Sequence, residues 1–367
     1  MLHILFLTLH RTDRSPSQRF RFEQYLPYLQ ERGMRYTHSY LLNQKDDRIF
    51  YSSGNYVGKG LILLKSVLKR SAEILSAEKY DIVFVQRECF MLGTSFFEKY
   101  FSKKGKLVFD FDDSIWFQNV TSNNKNLAWL KDPLKTDKII RFADMVFAGN
   151  EYLADHARQF NSNVIIVPTT IDTDEYRPKP SKEANAKVCI GWSGSFSTIE
   201  HFEIILPVLR KMKEKYGDKI YFKVIGDKNY ANPALGIKGI GWSKEGELEE
   251  LGELDIGIMP LPNDEWAKGK CGLKGLQYMA LEIPTIMSPV GVNSDIIKDG
   301  ENGFLAEGEQ EWMDRLSALV EDASLRNRLG KNGRKTVVDK YSVLSLREKY
   351  VSYFLQLGAG KEVATTQ

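Results

Sequence analysis

Two lysines and an amide in one short stretch, Lys270, Lys274 and Gln277, are the side chains in this 367-residue chain best suited to holding a diphosphate. The stretch runs Gly269-Lys270-Cys271-Gly272-Leu273-Lys274-Gly275-Leu276-Gln277-Tyr278-Met279-Ala280, between apolar runs at 255–260 and 284–287. Each run reads as a buried parallel strand, so a helix between them is predicted. At 3.6 residues per turn, Lys270, Lys274 and Gln277 fall on one line, beside an apolar stripe of Leu273, Leu276 and Ala280. A helix starting after the C-terminal end of a strand also turns its unpaired N–H groups and positive dipole end toward the crevice where open α/β sheets bind ligands. The alternative is an ordinary amphipathic helix with solvated lysines, which leaves the glycines at its mouth without a reason.

Other groups with possible chemistry also sit at expected strand ends. Ser193-Gly194-Ser195-Phe196-Ser197-Thr198 follows a strand expected over 187–192 and opens a helix expected to run through Leu209. In such a small-residue loop Ser195, Ser197 or Thr198 can cap the helix and contact a phosphate together, with Gly194 in the cradle. Gly226 closes a strand at 220–225, and Trp242 follows in Gly239-Ile240-Gly241-Trp242, as a ligand contact or as a core aromatic. In the first half, the loop at 10–17 and the residues after it carry Arg14, Ser15, Ser17, Arg19 and Arg21. Arg19 is the candidate contact there, and solvated arginines at a helix start are the alternative. Glu88 and the cluster Asp110, Asp112 and Asp113 lie at the ends of two further strands. Carboxylates so close repel one another unless a cation or arginine relieves them, which implies a metal site or a polarised wall.

The elements that must position these groups alternate. Apolar runs at 2–9, 36–42, 81–86, 106–111, 145–148 and 164–167 are separated by helical patterns, which predicts a parallel, doubly wound sheet. One of those patterns, carrying Phe20, Tyr25, Leu26 and Leu29 and ended by Gly33, reads as a single helix. No G-x-G-x-x-G follows the first strand, so no dinucleotide cofactor is expected there. A charged, proline-bearing segment at 170–187 marks a domain boundary, after which the pattern restarts. The predicted fold class is therefore α/β, with two Rossmann-like doubly wound parallel-sheet domains. The expected division is 1–172, a linker at 173–186, 187–340, and a closing segment at 341–367 with a helix and a fraying tail. The asparagine-rich stretch 121–136, with Trp129, reads as a mobile loop. An amphipathic helix is expected at 57–75, with Leu61, Leu64, Leu68 and Leu75 near one face. Core packing of that face is the expectation and membrane-surface contact the alternative.

Composition narrows the class. Hydrophobic residues make up 43% and charged residues 27%, a soluble globular balance, and no apolar run is long enough for a transmembrane helix. The net charge of +3 is too small to imply nucleic acid. Cys89, Cys189 and Cys271 are widely spaced and odd in number, so neither a disulfide framework nor a zinc site is indicated, and a reducing cytoplasm is expected.

The strand followed by G-K-x-x-x-K, L-Q-Y-M-A and a proline, then Ser288-Pro289-Val290-Gly291-Val292-Asn293 and Asp299-Gly300-Glu301-Asn302-Gly303, resembles the C-terminal half of family 4 glycosyltransferases of GT-B fold. The resemblance extends over nearly the whole chain. It implies two domains facing across a cleft, an acceptor side on the first and a nucleotide-sugar donor side on the second. It further implies sugar transfer with retention to a glycan or lipid-linked hydroxyl, no metal and no cofactor beyond the nucleotide sugar, and peripheral contact with the inner face of the membrane. Family members carry two glutamates eight positions apart, the first beside the donor sugar and the second on the ribose. Here Gly269 and Gln277 stand in those places. Lys270 and Lys274 would take the diphosphate, Asp112 and Asp113 would contact sugar or acceptor or cap structure, and the base would pack near Trp242. A GT-B epimerase and a non-catalytic binding module remain alternatives.

Overall fold

The computed structural model describes residues 1–117, 132–178 and 187–364, with side chains as far as 359. The predicted loop around Trp129, the linker from 179 to 186 and the end of the tail lie outside the described residues. The chain divides into two units, Met1–Pro168 with Arg347–Gln367, and Thr169–Leu346.

The first unit is built on six strands, β1 (His3–His10), β2 (Arg35–Leu42), β3 (Ile82–Gln86), β4 (Lys106–Phe111), β5 (Met145–Ala148) and β6 (Val164–Ile166). They pair in parallel in the order β2-β1-β3-β4-β5-β6. Helices cover both faces of such a sheet, which is why β3 is buried along its whole length and reads as an unbroken apolar run. Phe6, Phe22 and Phe84 meet at centroid separations of 4.9 to 5.7 Å, and the closing helix Val343–Ala364 adds Phe354 to this cluster and stacks Tyr350 on Tyr25 at 4.2 Å. The helix predicted around Phe20 to Leu29 is broken. Pro16–Arg19 forms one turn, Glu23–Tyr25 a 3₁₀ turn, and Leu26–Glu31 a second helix. Proline sits in the first turn of each α-helical piece, where its missing N–H costs nothing, so each proline starts a new segment. The helix Tyr56–Leu75 packs through Ile62, Ser66 and Arg70, which corrects the expected core packing of its leucine face: Leu61, Leu64, Leu68 and Leu75 are exposed.

The second unit has β7 (Val188–Ser193), β8 (Ile220–Ile225), β11 (Ile256–Met259), β12 (Thr285–Met287) and β13 (Phe304–Leu305) in the order β13-β12-β11-β7-β8, all parallel. A separate antiparallel ribbon joins β9 (Ala231–Asn232) to β10 (Ile237–Lys238). Trp192, Phe202, Leu209, Phe222 and Leu316 belong to the core of this unit. The helix predicted through Leu209 is also divided, into Ile199–Glu203 and Leu206–Tyr216, with Pro207 in the first turn of the second. In each unit the first strand is flanked by the second on one side and the third main strand on the other. The strand order therefore reverses at β1/β3 and at β7/β11, and such switch points open a crevice at the strand C-terminal ends.

Candidate functional site

In the second unit the switch point is framed by the loop after β7 and the loop after β11. Tyr278 fixes the first, its Oη accepting from the Ser193 N–H at 2.7 Å and lying 3.0 Å from Ser193 Oγ. Gly194 N–H donates to the Ile225 carbonyl at 2.8 Å, and Gly226 N–H to the Ile240 carbonyl at 2.7 Å. Gly226 has φ +119°, and a Cβ there would stand 1.5 Å from the Gly194 oxygen, so only glycine fits. Ser195 and Thr198 form a capping box around the turn Phe196–Thr198, and Ser195 Oγ lies 2.8 Å from Ser197 Oγ. Ser195 and Ser197 are exposed, leaving hydroxyls at the mouth of the loop.

The second loop carries the lysines. The predicted helix exists but begins later, at Leu273, and ends at Ala280. Gly272, at φ +70°, turns the chain into it, and no side chain caps it. Lys270 therefore precedes the helix instead of lying on it, which corrects the predicted line of three. Lys270 Nζ stands 5.0 Å from the Trp266 ring centre and Lys274 Nζ 5.2 Å from that of Trp192, each half-buried. With Leu273, Lys274 and Gly275 at its open end, the helix offers backbone N–H groups beside two cations, the composition of an anion site. His201, 5% exposed, belongs to the same electrostatic neighbourhood. Burial, then Lys274 and Lys270, push its imidazole down to about 4 against the pull of Asp264, and its Nδ1 is buried without a hydrogen-bond partner. The sequence reading missed His201. Its one signal was its place directly after the small-residue loop.

Gln277 is placed differently from expectation. The helix is buried from Gly275 to Ala280, so Gln277 shares no solvent face with the lysines. Its Nε2 donates to Tyr176 Oη at 3.0 Å and to Glu247 Oε1 at 3.2 Å. Glu247 also accepts from Tyr176 O–H at 2.8 Å and from Trp242 Nε1 at 2.9 Å. Trp242 is half-buried with its N–H committed to this network. An apolar cavity of about 200 Å³ near Ile205, Leu261, Val290 and Trp312 is lined by none of the predicted site residues, and its walls do not suit a diphosphate.

In the first unit the carboxylates at the end of β4 are answered by arginines. Buried Arg21 donates through Nε to both oxygens of Asp110, at 3.1 and 3.2 Å, and through a terminal nitrogen to the Val167 carbonyl. Burial pushes the Asp110 carboxyl up, against the pull of Arg21. Arg87, which follows β3 in a left-handed conformation at φ +61°, donates to Asp112 at 2.9 Å and lies 3.5 Å from Asp113. Burial raises the Asp112 carboxyl, but Arg87, Arg21 and Ser17 outweigh it and hold it below the usual range. Strained backbone of this kind costs about 1–3 kcal/mol and clusters at functional sites. Arg87 is a candidate the sequence reading passed over in favour of its neighbour. Glu88 pairs with Lys135 at 2.7 Å, and Lys135 also donates to the carbonyls of Phe90 and Leu92, which ties Glu88 into structure. Arg19, expected on an open loop, is 5% exposed and 3.8 Å from Asp13.

Residues 172–336 match the family described as glycosyl transferases group 1. A capsular polysaccharide biosynthesis glycosyltransferase, CapM of Staphylococcus aureus, is 35% identical over 95 residues, covering 24% of this chain and 25% of the relative. The chain spans about half or less of the length of the curated relatives it matches. Among solved structures, sucrose-phosphate synthase from Thermosynechococcus elongatus is similar at TM-score 0.70 and 12% identity, over 98% of this chain and 100% of that one. HepE of Anabaena in complex with UDP-glucose is similar at TM-score 0.67 and 14% identity, over 97% and 100%. No helix among the described residues is long and apolar enough to cross a membrane. Residues 172–336 are thus similar to the group 1 glycosyl transferases, in a chain with the two parallel-sheet, Rossmann-like units of the GT-B fold.

Proposed function

We propose that the second unit binds a nucleotide sugar by its diphosphate and that the chain transfers the sugar, with retention, to a hydroxyl of a glycan or lipid-linked acceptor. The observation that carries this reading is the pair Lys270 and Lys274 beside the uncapped start of the helix Leu273–Ala280, at the switch point of the sheet. The group 1 match over this unit and the UDP-glucose bound to the Anabaena neighbour support it.

In transfer, the bond from the anomeric carbon to the diphosphate oxygen breaks and a bond to the acceptor oxygen forms. The acceptor proton leaves with the departing diphosphate. Negative charge grows on the phosphate oxygens as this happens, so cations and N–H groups aimed there stabilise the transition state more than the ground state. Two lysines, the helix start and the hydroxyls of Ser195 and Ser197 supply that charge and those bonds without a divalent metal. Neutral His201 adds no charge to the site at pH 7. On the first unit, Asp112 and Asp113, held by Arg87, are the groups offered to sugar or acceptor.

The test is incubation of the full chain with radiolabelled nucleotide sugars and a glycan acceptor pool, with and without chelator. Labelled glycan in both conditions is the expected result. An epimerised donor, binding without turnover, or activity restored only by added metal would each overturn part of the reading.

A further inference from the structure

Two buried nitrogens beside the loop after β7 have no hydrogen-bond partner, Nε1 of Trp192 and Nδ1 of His201. The six-membered ring of Trp192 lies against Gly194, where a Cβ would stand 2.2 Å from Cη2. Lys274 Nζ is 5.2 Å from the Trp192 ring centre, and Phe202, the chain neighbour of His201, packs on the same indole at 5.7 Å. His201 itself is 5% exposed, and its ring makes no hydrogen bond among the described residues. Buried polar side chains of native proteins are almost always paired, so an imidazole left unpaired beside two lysines points to a bound state in which it gains a partner.

The charges around the ring come from three places. Lys274 and Lys270 act on it from the lysine loop and helix, and Asp264 from the loop after β11, where its Oδ1 also accepts from the Ala267 N–H at 2.7 Å. Glu200 and Glu203 of its own helix are exposed. Two lysines against one aspartate leave a net positive field, and burial with that field holds the imidazole at about 4, neutral while no anion is present.

We propose that His201 is a further residue of the diphosphate site and takes up one proton from solvent as a diphosphate seats on Lys270 and Lys274, turning an unpaired neutral ring into a cationic donor. The inference rests on the donor-site reading above. A diphosphate carries more negative charge than the net positive charge around the ring, so its arrival reverses the sign of the field there and the proton is then attracted instead of repelled. The lysines are charged with or without the ligand and make no such contribution near neutral pH. The sign of the linkage follows: the bound state holds more protons than the empty one, so binding tightens as pH falls. Returned by the anion to its ordinary value of 6.5, the ring tightens binding about tenfold between pH 7.5 and pH 5.5.

The terminal phosphate of a free nucleoside diphosphate titrates in the same range, with a pKa of about 6, so the readout is parent against variant. The full chain, His201→Phe and His201→Asn are titrated calorimetrically with UDP, ADP and GDP at pH 5.5 and pH 7.5, each in two buffers of different ionisation enthalpy, which counts the protons taken up on binding. At pH 5.5 the parent should take up about one proton more than either variant, and at pH 7.5 almost none more. The ratio of parent to variant affinity should rise about tenfold from pH 7.5 to pH 5.5. The phenylalanine keeps the shape of the ring and the asparagine its polarity, so either serves should the other misfold. Equal proton counts with parallel pH profiles overturn the proposal and leave the diphosphate site standing, as do variants weakened by the same factor at both pH values, which would give the ring a role in shape alone. A parent that binds none of the three diphosphates at either pH refutes the donor site itself, and this inference with it.

Discussion

The family resemblance implies a glutamate where Gln277 stands, yet the structure makes Gln277→Glu a damaging change. Gln277 is 5% exposed and its amide nitrogen donates to Glu247 at 3.2 Å and to Tyr176 at 3.0 Å. Glutamate keeps the size but turns both donors into acceptors, and it sets a second carboxylate against the 8% exposed Glu247. At this separation two full charges repel by about 5 kcal/mol at an effective dielectric of about 20. Taking up one proton is cheaper: for a carboxyl of ordinary pKa it costs about 3.7 kcal/mol at pH 7 and about 1 kcal/mol at pH 5. The pair escapes by protonation, so Gln277→Glu should lose about 3–4 kcal/mol of stability at pH 7 and only about 1 kcal/mol at pH 5. Urea unfolding followed by tryptophan fluorescence at the two pH values reads this directly. Adding Glu247→Gln swaps the charge across the pair and should recover most of the loss, a coupling that separates the pair from a general packing defect. Equal stability of Gln277→Glu and parent at pH 7, or a loss independent of pH, would refute the assignment of the amide to this network.

The imidazole of His201 lies near 4 in the folded chain against 6.5 as its ordinary value, so the unfolded chain takes up the proton first and stability falls as pH drops from 6.5 toward 4. His201→Phe should remove about 2 kcal/mol of the parent's loss between pH 7 and pH 5, measured as the difference between the two proteins, and identical pH profiles would contradict it. Asp110→Asn leaves the Arg21 charge buried without its partner and should cost about 3–5 kcal/mol by urea unfolding; an unchanged midpoint would show that the pair is dispensable. Gly226→Ala forces a Cβ against the Gly194 oxygen and should give insoluble protein or lose about 1–3 kcal/mol or more; a fully stable alanine variant would contradict the loop geometry.

The sheets were legible because parallel strands buried on both faces appear as continuous apolar runs, as at β3 and β11. The placement of Ser195, Gly226 and Lys274 near strand C-terminal ends followed from the same runs. The details that failed depend on distant partners. Gln277 is claimed by Tyr176 and Glu247, 101 and 30 positions away, which no local periodicity reveals. The helix start moved to Leu273 because Gly272 adopts φ +70°, a conformation the pattern of apolar residues cannot report. The stripe in Tyr56–Leu75 was visible, but periodicity gives a stripe's direction on the helix and not whether anything covers it. The arginines that balance Asp110 and Asp112 come from the turn between Pro16–Arg19 and Glu23–Tyr25 and from the residue after β3, so three acids within four residues read as a metal site or a polarised wall until their partners are seen.

Calorimetric titration of the full chain and of Lys270→Ala and Lys274→Ala with UDP, ADP and GDP, and with the matching nucleosides, tests the diphosphate site most directly. At least one diphosphate should bind the parent, and each lysine variant should lose about 1–3 kcal/mol for that diphosphate with almost no change for its nucleoside. Absence of binding by all three diphosphates, or equal losses for diphosphate and nucleoside, would contradict it.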